Sequence, residues 1–442
     1  MHSKQPQSGT MPSNHAGAAR PPNRPLNRQD YKTLALAALG GALEFYDFII
    51  FVFFATTIGA LFFPPSMPDW LRLFQTFGIF AAGYVVRPLG GMVMAHFGDL
   101  LGRKKMFNLS IVLMAVPTLM IGLLPTYASV GLAAPLLLLL FRVLQGAAVG
   151  GEVPGAWVFV SEHVPARRIG YACGTLTAGL TFGILLGSLM ATGIHSWFTP
   201  EQVLAWGWRI PFLLGGIFGL GAMVLRRWLH ETPVFTELQQ RKALAAELPI
   251  KAVLRQHRRS VVLSMLLTWM LSAAIVVVIL MTPALLQKIY GYDARTSLEA
   301  NTLATLCLAF GCIAAGALAD RFGARRVLLG GALFLGVCTW VFYTTLAVHP
   351  GRLLPLYAVL GLSVGVVGVV PGVMVRAFPA AVRFSGISFS YNLAYAIFGG
   401  LTPIMVTLML KTYPLAPAYY VMALCALGVV IALVMKEATD QS

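Results

Sequence analysis

Residues 34–63 read LALAALGGALEFYDFIIFVFFATTIGALFF. A helix needs roughly 20 apolar residues to cross the hydrocarbon core of a bilayer, and this stretch supplies them. It also carries two carboxylates, Glu44 and Asp47. Three residues apart, they share one helix face. A charge at the centre of a membrane helix costs at least about 2.5–3.5 kcal/mol, so an acid placed there marks a functional site unless it sits at a helix end and anchors a neighbour. For Glu44 both readings stand. Asp47 is followed by a further long apolar run, which favours the functional one.

The whole chain repeats this theme. Of 442 residues, 58% are hydrophobic and 11% charged, with a mean hydropathy of +0.77. Soluble domains carry about 25% charged residues, so this is an integral membrane protein. A net charge of +16 would point to nucleic acid in a soluble chain. Here the basic residues fall in the short gaps between apolar runs, which removes nucleic acid as a partner. Five cysteines (Cys173, Cys307, Cys312, Cys338 and Cys425) lie inside apolar segments without metal-ligand spacing and read as small hydrophobes. No metal or cofactor is expected.

Twelve membrane-length segments are expected, near residues 34–63, 74–95, 106–124, 132–160, 169–194, 210–225, 261–286, 298–319, 327–348, 353–375, 384–410 and 419–435. Residues 1–31 are polar and Pro-rich, without a short apolar stretch and cleavage site, and are expected to form a disordered cytoplasmic arm with no cleaved leader. Six-helix bundles are expected over 32–229 and 259–436, with a linker over 230–258 and a tail over 437–442. Loop Lys and Arg residues concentrate on one side (Arg103, Lys104, Lys105, Arg167, Arg168, Arg321, Arg325, Arg326 and Arg376). By the positive-inside rule both termini are then cytoplasmic, and Trp70, Trp197, Trp206 and Trp208 fall near the outer interface as anchors.

An internal repeat supports two halves. GDLLGRKK at 98–105 matches ADRFGARR at 319–326, with Asp99 and Asp320 separated by 221 residues (320 minus 99), half the chain. Parallel repeats of this kind place a substrate site between halves, near the membrane midplane. The candidate site residues follow from charge. Within the membrane, the charges of note lie in the first half (Glu44, Asp47, Arg87, Arg142 and Glu152), and the second-half segments have essentially none. Unpaired buried charges destabilise strongly, so these groups are expected to seek each other. In 142–152, RVLQGAAVGGE, Arg142, Gln145, Gly146, Val149 and Glu152 recur at helical spacing and form one stripe. Asp47 is expected to face Arg142. Such a pair either couples a proton to helix movement or holds two helices together as a static bridge. Arg87 either binds a substrate carboxylate bidentately or pairs with Glu44. In the second half, Tyr391, Asn392 and Tyr395 share one region of a helix and serve either a small ligand or interhelical hydrogen bonds.

The pattern resembles the major facilitator superfamily, and within it the metabolite:proton symporter branch. GALADRFGARR at 316–326 resembles the superfamily's inner-loop motif, and RVLQG at 142–146 its segment-four motif. EFYDF at 44–48, RPLGG at 87–91, GGE at 150–152 and ETPVF at 231–235 are similar to branch signatures, as is Tyr391-Asn392 with Phe398-Gly399-Gly400. The chain departs at Gly41-Ala42, Ala95, Leu100 and Val153-Pro154. The resemblance implies an all-α, twelve-helix monomer in a bacterial inner membrane that takes up a small organic acid or zwitterion with protons by alternating access. It implies proton coupling at Asp47, Arg142, Glu44 and Glu152, substrate binding at Arg87, Gln145, Tyr391, Asn392 and Tyr395, and gating by Asp99, Arg103, Asp320, Arg321 and Arg325. A proton-antiport exporter of a drug or siderophore shares these motifs, and a transporter-like nutrient receptor is the rival of another class. No nucleophile–base pair or metal cluster supports an enzyme.

Overall fold

The computed structural model describes residues 24–101, 103–150, 152–226, 249–379 and 382–435. Every regular element among them is helical. Nine of their helices are long and apolar enough to cross a membrane, and the bent pair Pro200–Gly207 with Arg209–Gly221 adds a tenth. Asp69–Leu101 and Arg103–Leu123, of 33 and 21 residues, complete the expected twelve. They are labelled in order α1 (Arg28–Phe53), α2 (Asp69–Leu101), α3 (Arg103–Leu123), α4 (Ala133–His163), α5 (Ala166–Trp197), α6 (Arg209–Arg226), α7 (Arg258–Lys288), α8 (Ala294–Phe322), α9 (Ala324–Val348), α10 (Pro350–Ala377), α11 (Arg383–Met409) and α12 (Ala416–Val434).

Apolar length starts these helices and local chemistry ends them. α1 opens on an Asn27–Asp30 capping box, which satisfies two of the backbone donors a helix start leaves free. α8 opens on Asp293, whose side chain accepts from the Thr296 N–H, and stops at Gly323, where φ is +89°. Pro88, Pro117 and Pro403 lie inside helices. Membrane helices tolerate this because neighbours re-satisfy the carbonyls that proline leaves without a donor.

Packing repeats between the halves. In the first, α1 packs on α5 and α6, α2 on α4, and α3 on α4 and α6. In the second, α8 packs on α10, α9 on α12, and α7 on α11 and α12. The α2–α4 crossing is so close that a Cβ at Gly146 would overlap the Gly83 carbonyl, and one at Gly150 would overlap that of Arg87. In the α8–α10 crossing Gly361 meets Ala304 and Gly365 meets Gly311. Gly83 and Ala304 are again 221 apart (304 minus 83). Small residues at matching places let both helix pairs approach backbone to backbone.

The halves meet along α5 with α8 and along α2 with α11. Bridges join them at both faces. On the face rich in basic residues, Asp320 of α8 accepts from the backbone N–H groups of Gly170 and Tyr171 at 2.8 and 2.7 Å, and Arg383 of α11 pairs with Glu162 of α4 at 3.3 Å. On the opposite face, Lys288 pairs with Asp69 at 3.1 Å, and the Lys411 ammonium lies 3.3 Å from the Trp70 ring centre. Contacts therefore join the two halves at both faces.

Trp70, Trp197 and Trp206 are exposed on the bundle, as anchors should be. Trp208 differs from expectation: it is fully buried, edge-on to Phe62 and near Phe212. Position in the sequence placed it near the interface, but the turn before α6 directs it into the aromatic core. The five cysteines are free.

Candidate functional site

The close α2–α4 crossing brings Arg87 and Arg142 to one place between the halves. Both are essentially without exposure. The ring of Phe48, from α1, lies under both guanidinium groups: Arg142 stands 4.2 Å from its centre and Arg87 5.3 Å. Phe51 and Phe80 add faces to Arg142 at 4.7 and 5.1 Å. Tyr84 and Tyr395 add faces to Arg87 at 5.0 and 4.8 Å. A guanidinium over a ring gains about 0.5–2 kcal/mol, more when desolvated. Tyr395 comes from α11, so the cage is closed by a residue of each half. Tyr391, one turn earlier, packs on Tyr395 and on Trp157 with ring centres 4.7 and 5.0 Å apart. Tyr395 also begins a π-helical turn, Tyr395–Gly399, a feature that recurs at functional sites.

Hydrogen bonds satisfy these arginines only in part. Arg142 Nη1 donates to the Phe48 carbonyl at 3.0 Å and to Gln145 Oε1 at 2.8 Å. Gln145 Nε2 in turn donates to Thr118 Oγ1 at 2.7 Å, so Gln145 orients Arg142 from the same helix face. Nε and Nη2 of Arg142, and Nε and Nη1 of Arg87, are buried without a hydrogen-bond partner. Among the described side chains, which do not include Glu44 and Glu152, no acid lies within ion-pair distance of either arginine. Buried donors of charged groups are costly to leave unmet. Four of them in one cage form a site complementary to an anion, and a carboxylate matches a guanidinium in two-point geometry.

Asp47 lies elsewhere. Its side chain points at α6, where Cβ atoms built on Gly215 and Gly219 would stand 2.6 and 3.0 Å from Oδ1 and Oδ2. Oδ1 has no hydrogen-bond partner. The expected Asp47–Arg142 pair is thus not formed in this structure. Asp47 lies on the face of α1 that packs on α6, and Arg142 meets α1 through the Phe48 carbonyl instead. Tyr46 ties α1 to α6 by donating to the Pro211 carbonyl at 2.9 Å. The side chains of Glu44, Glu152, Asp99 and Arg103 lie outside the described residues.

The gating residues divide. Asp320 bridges the halves as described above, and its further cationic neighbour is Arg376, at 3.5 Å. Arg321 lies over its own neighbour Phe322 at 5.2 Å, and Arg325 donates to the Leu433 carbonyl at 3.1 Å. Neither joins Asp320. Sequence reasoning placed Arg376 only among the basic loop residues and missed it as a partner of Asp320, because it lies on α10, in no motif shared with Asp320. Asn392 does not face the arginine cage through a hydrogen bond: its Nδ2 donates to the Gly150 carbonyl of α4 and approaches Ser388 Oγ at 3.4 Å. Phe51, Phe80 and Tyr84 were also missed; aromatic residues in an apolar helix carry no signal until a cation is seen beside them.

Residues 37–403 match the family model described as Major Facilitator Superfamily. The chain belongs to the Major Facilitator Superfamily. It is similar to a putative proline/betaine transporter of Staphylococcus aureus (strain COL), 33% identical over 410 residues that cover 90% of this chain and 87% of that one. It is likewise similar to a citrate-proton symporter of Klebsiella pneumoniae, 34% identical over 376 residues, 84% of each chain. These relatives agree with the metabolite:proton symporter branch that the motifs resemble. In fold it is similar to the xylose transporter of E. coli in a partially occluded inward-open conformation, with a TM-score of 0.74 at 18% identity over 94% of this chain and 100% of that one.

Proposed function

We infer that this superfamily member is a proton-coupled transporter that takes up a small metabolite carrying at least one carboxylate. The observation that carries the reading is the pair of caged arginines: two buried guanidinium groups share Phe48, and four of their N–H groups lack partners. A carboxylate arriving there would meet charge-assisted donors, each bond worth about 1.5–3 kcal/mol. The names of the relatives, a proline/betaine transporter and a citrate-proton symporter, fit a cargo with a carboxylate.

Asp47 is the group we assign to the proton. It is buried, next to two glycines and away from any described cation. An uncompensated carboxylate at such depth is costly, so the closed form favours transit with the proton aboard. Parting of α1 and α6 admits water and allows exchange. Arg142 donates to the Phe48 carbonyl and Gln145, itself held by Thr118, reaches the Asp47 carbonyl, which links site occupancy to the helix that bears the proton. The basic face, with Asp320, is assigned to the cytoplasm of a bacterial cell by the positive-inside rule. The arginine cage takes residues from both halves of the chain, and the working unit we assign is a monomer.

Purified protein in liposomes with a trapped pH-sensitive dye tests the reading. Di- and tricarboxylates, proline and betaine are added outside one at a time. Proton entry driven by a carboxylate supports it. Expulsion of a hydrophobic probe by an imposed gradient, with no response to any carboxylate, overturns it in favour of export.

A further inference from the structure

In α4 the segment Ala133–Val149 ends at Gly150. In a continuous helix the Gly150 carbonyl would accept from the N–H four residues on. That residue is Pro154, which has no N–H to give. The carbonyl is therefore left without its intrahelical donor at the point where α4 presses on α2: a Cβ built on Gly91 would stand 3.3 Å from it. The donor comes from the other half of the molecule. Asn392 of α11, only 2% exposed, gives its Nδ2 to this carbonyl.

We propose that Asn392 is a positioning residue for transport, a latch that holds the two halves together beside the arginine cage, and that Pro154 creates its acceptor. The proposal rests on the reading of the cage as the substrate site. Tyr391 and Tyr395, on the same helix, wall that cage, so movement of α11 that frees Asn392 also moves the wall. Gly150 O lies one turn along from Arg87 toward the Asp320 face. Its bond to Asn392 thus closes the route on that side and leaves the opposite side to Asp69 and Lys288. The amide orientation is fixed by chemistry, because only the NH2 end can meet a carbonyl. Its Oδ1 stays buried without a partner, a cost of burial the contact tolerates.

The test reads the closure directly and needs no substrate. Spin labels are placed at positions 167 and 326, exposed on the basic face, one in each half, in protein whose native cysteines are replaced. Inter-label distances are recorded for Asn392→Ala, Pro154→Ala and the double variant in liposomes. Asn392→Ala is expected to raise the long-distance population relative to the short by about 5- to 20-fold, the size of one buried hydrogen bond. Pro154→Ala returns an N–H to α4, so in that background Asn392→Ala is expected to add less than about twofold. An unchanged distribution in Asn392→Ala, or an equal shift in both backgrounds, overturns the latch. If Asn392→Ala does not assemble, Asn392→Leu, near in size and without a donor, reads the same equilibrium. Failure of every carboxylate to drive proton entry would instead overturn the reading of the cage and leave the distance result standing.

Discussion

The carboxyl of Asp47 lies against Gly215, not against an arginine: a Cβ on Gly215 would stand 2.6 Å from its Oδ1. A membrane carboxyl held among glycines has room but no counter-charge. Coupling by proton occupancy needs that combination, because a fixed ion pair would neutralise the acid without a proton. Asp47→Asn is then expected to abolish accumulation of substrate against its gradient while exchange of labelled for unlabelled substrate continues. Full gradient-driven uptake by this variant would remove Asp47 from the mechanism.

The glycine notch can be tested by itself. Gly215→Ala puts a methyl group where the Asp47 oxygen sits, and is expected to cut the uptake rate at least about tenfold, since small-to-large changes in packed interiors cost about 1–3 kcal/mol. Gly221, on the same helix, has nothing within 4 Å of its built Cβ. Gly221→Ala is expected to leave uptake unchanged and to raise thermal stability slightly, because alanine favours helix over glycine by about 1 kcal/mol. Equal loss of uptake in both variants would show that α6 is merely sensitive to substitution.

The arginine cage predicts a difference between charge and shape. Lysine keeps the charge at positions 87 and 142 but has no planar fork. Arg87→Lys and Arg142→Lys are each expected to raise KM for a carboxylate substrate about tenfold or more. Phe48→Leu removes the ring both guanidinium groups share and is expected to impair binding more than Phe80→Leu, whose ring serves Arg142 among the described contacts. Substrate-binding isotherms in detergent separate these effects from transport rate.

Much of this was legible in the sequence, for particular physical reasons. A bilayer imposes length and hydropathy on each helix, so twelve spans and two repeats could be read. Buried arginines are expensive and rare, so Arg87 and Arg142 stood out at once. Their partners did not. Charge alone matched Asp47 to Arg142, but which face of α1 meets α4 depends on the Gly83–Gly146 crossing and on the seating of α6. Arg376 and the Asn392–Gly150 contact were illegible because each joins helices far apart in the chain. Pro154 was visible as a departure, and only the missing N–H gave it meaning.

The two faces should not be equally strong. Asp320 accepts two backbone N–H bonds, with its side chain 6% exposed, whereas Asp69 is 63% exposed where it meets Lys288. Exposed ion pairs contribute about 0–1 kcal/mol; removing a buried acceptor of two N–H groups costs more. Labels at 66 and 413 report the Asp69 face, and labels at 167 and 326 the Asp320 face. Asp320→Asn is expected to shift its face toward open by at least about tenfold, and Asp69→Asn its own by less than about fivefold. The pH response of the Asp69 face has a definite sign. Asp69 stands at the exposed start of α2, ahead of the apolar segment, and the hydrogen bond from Lys288 holds its carboxyl below the ordinary 3.8. A lowered carboxyl favours the closed form above that ordinary value, and the contribution disappears as pH falls through the lowered one. Closure of this face is therefore expected to be flat across neutral pH and to weaken only in strong acid, with Asp69→Asn removing the acid-side change. A shift near neutrality that survives Asp69→Asn would assign the pH sensitivity of this face to another group.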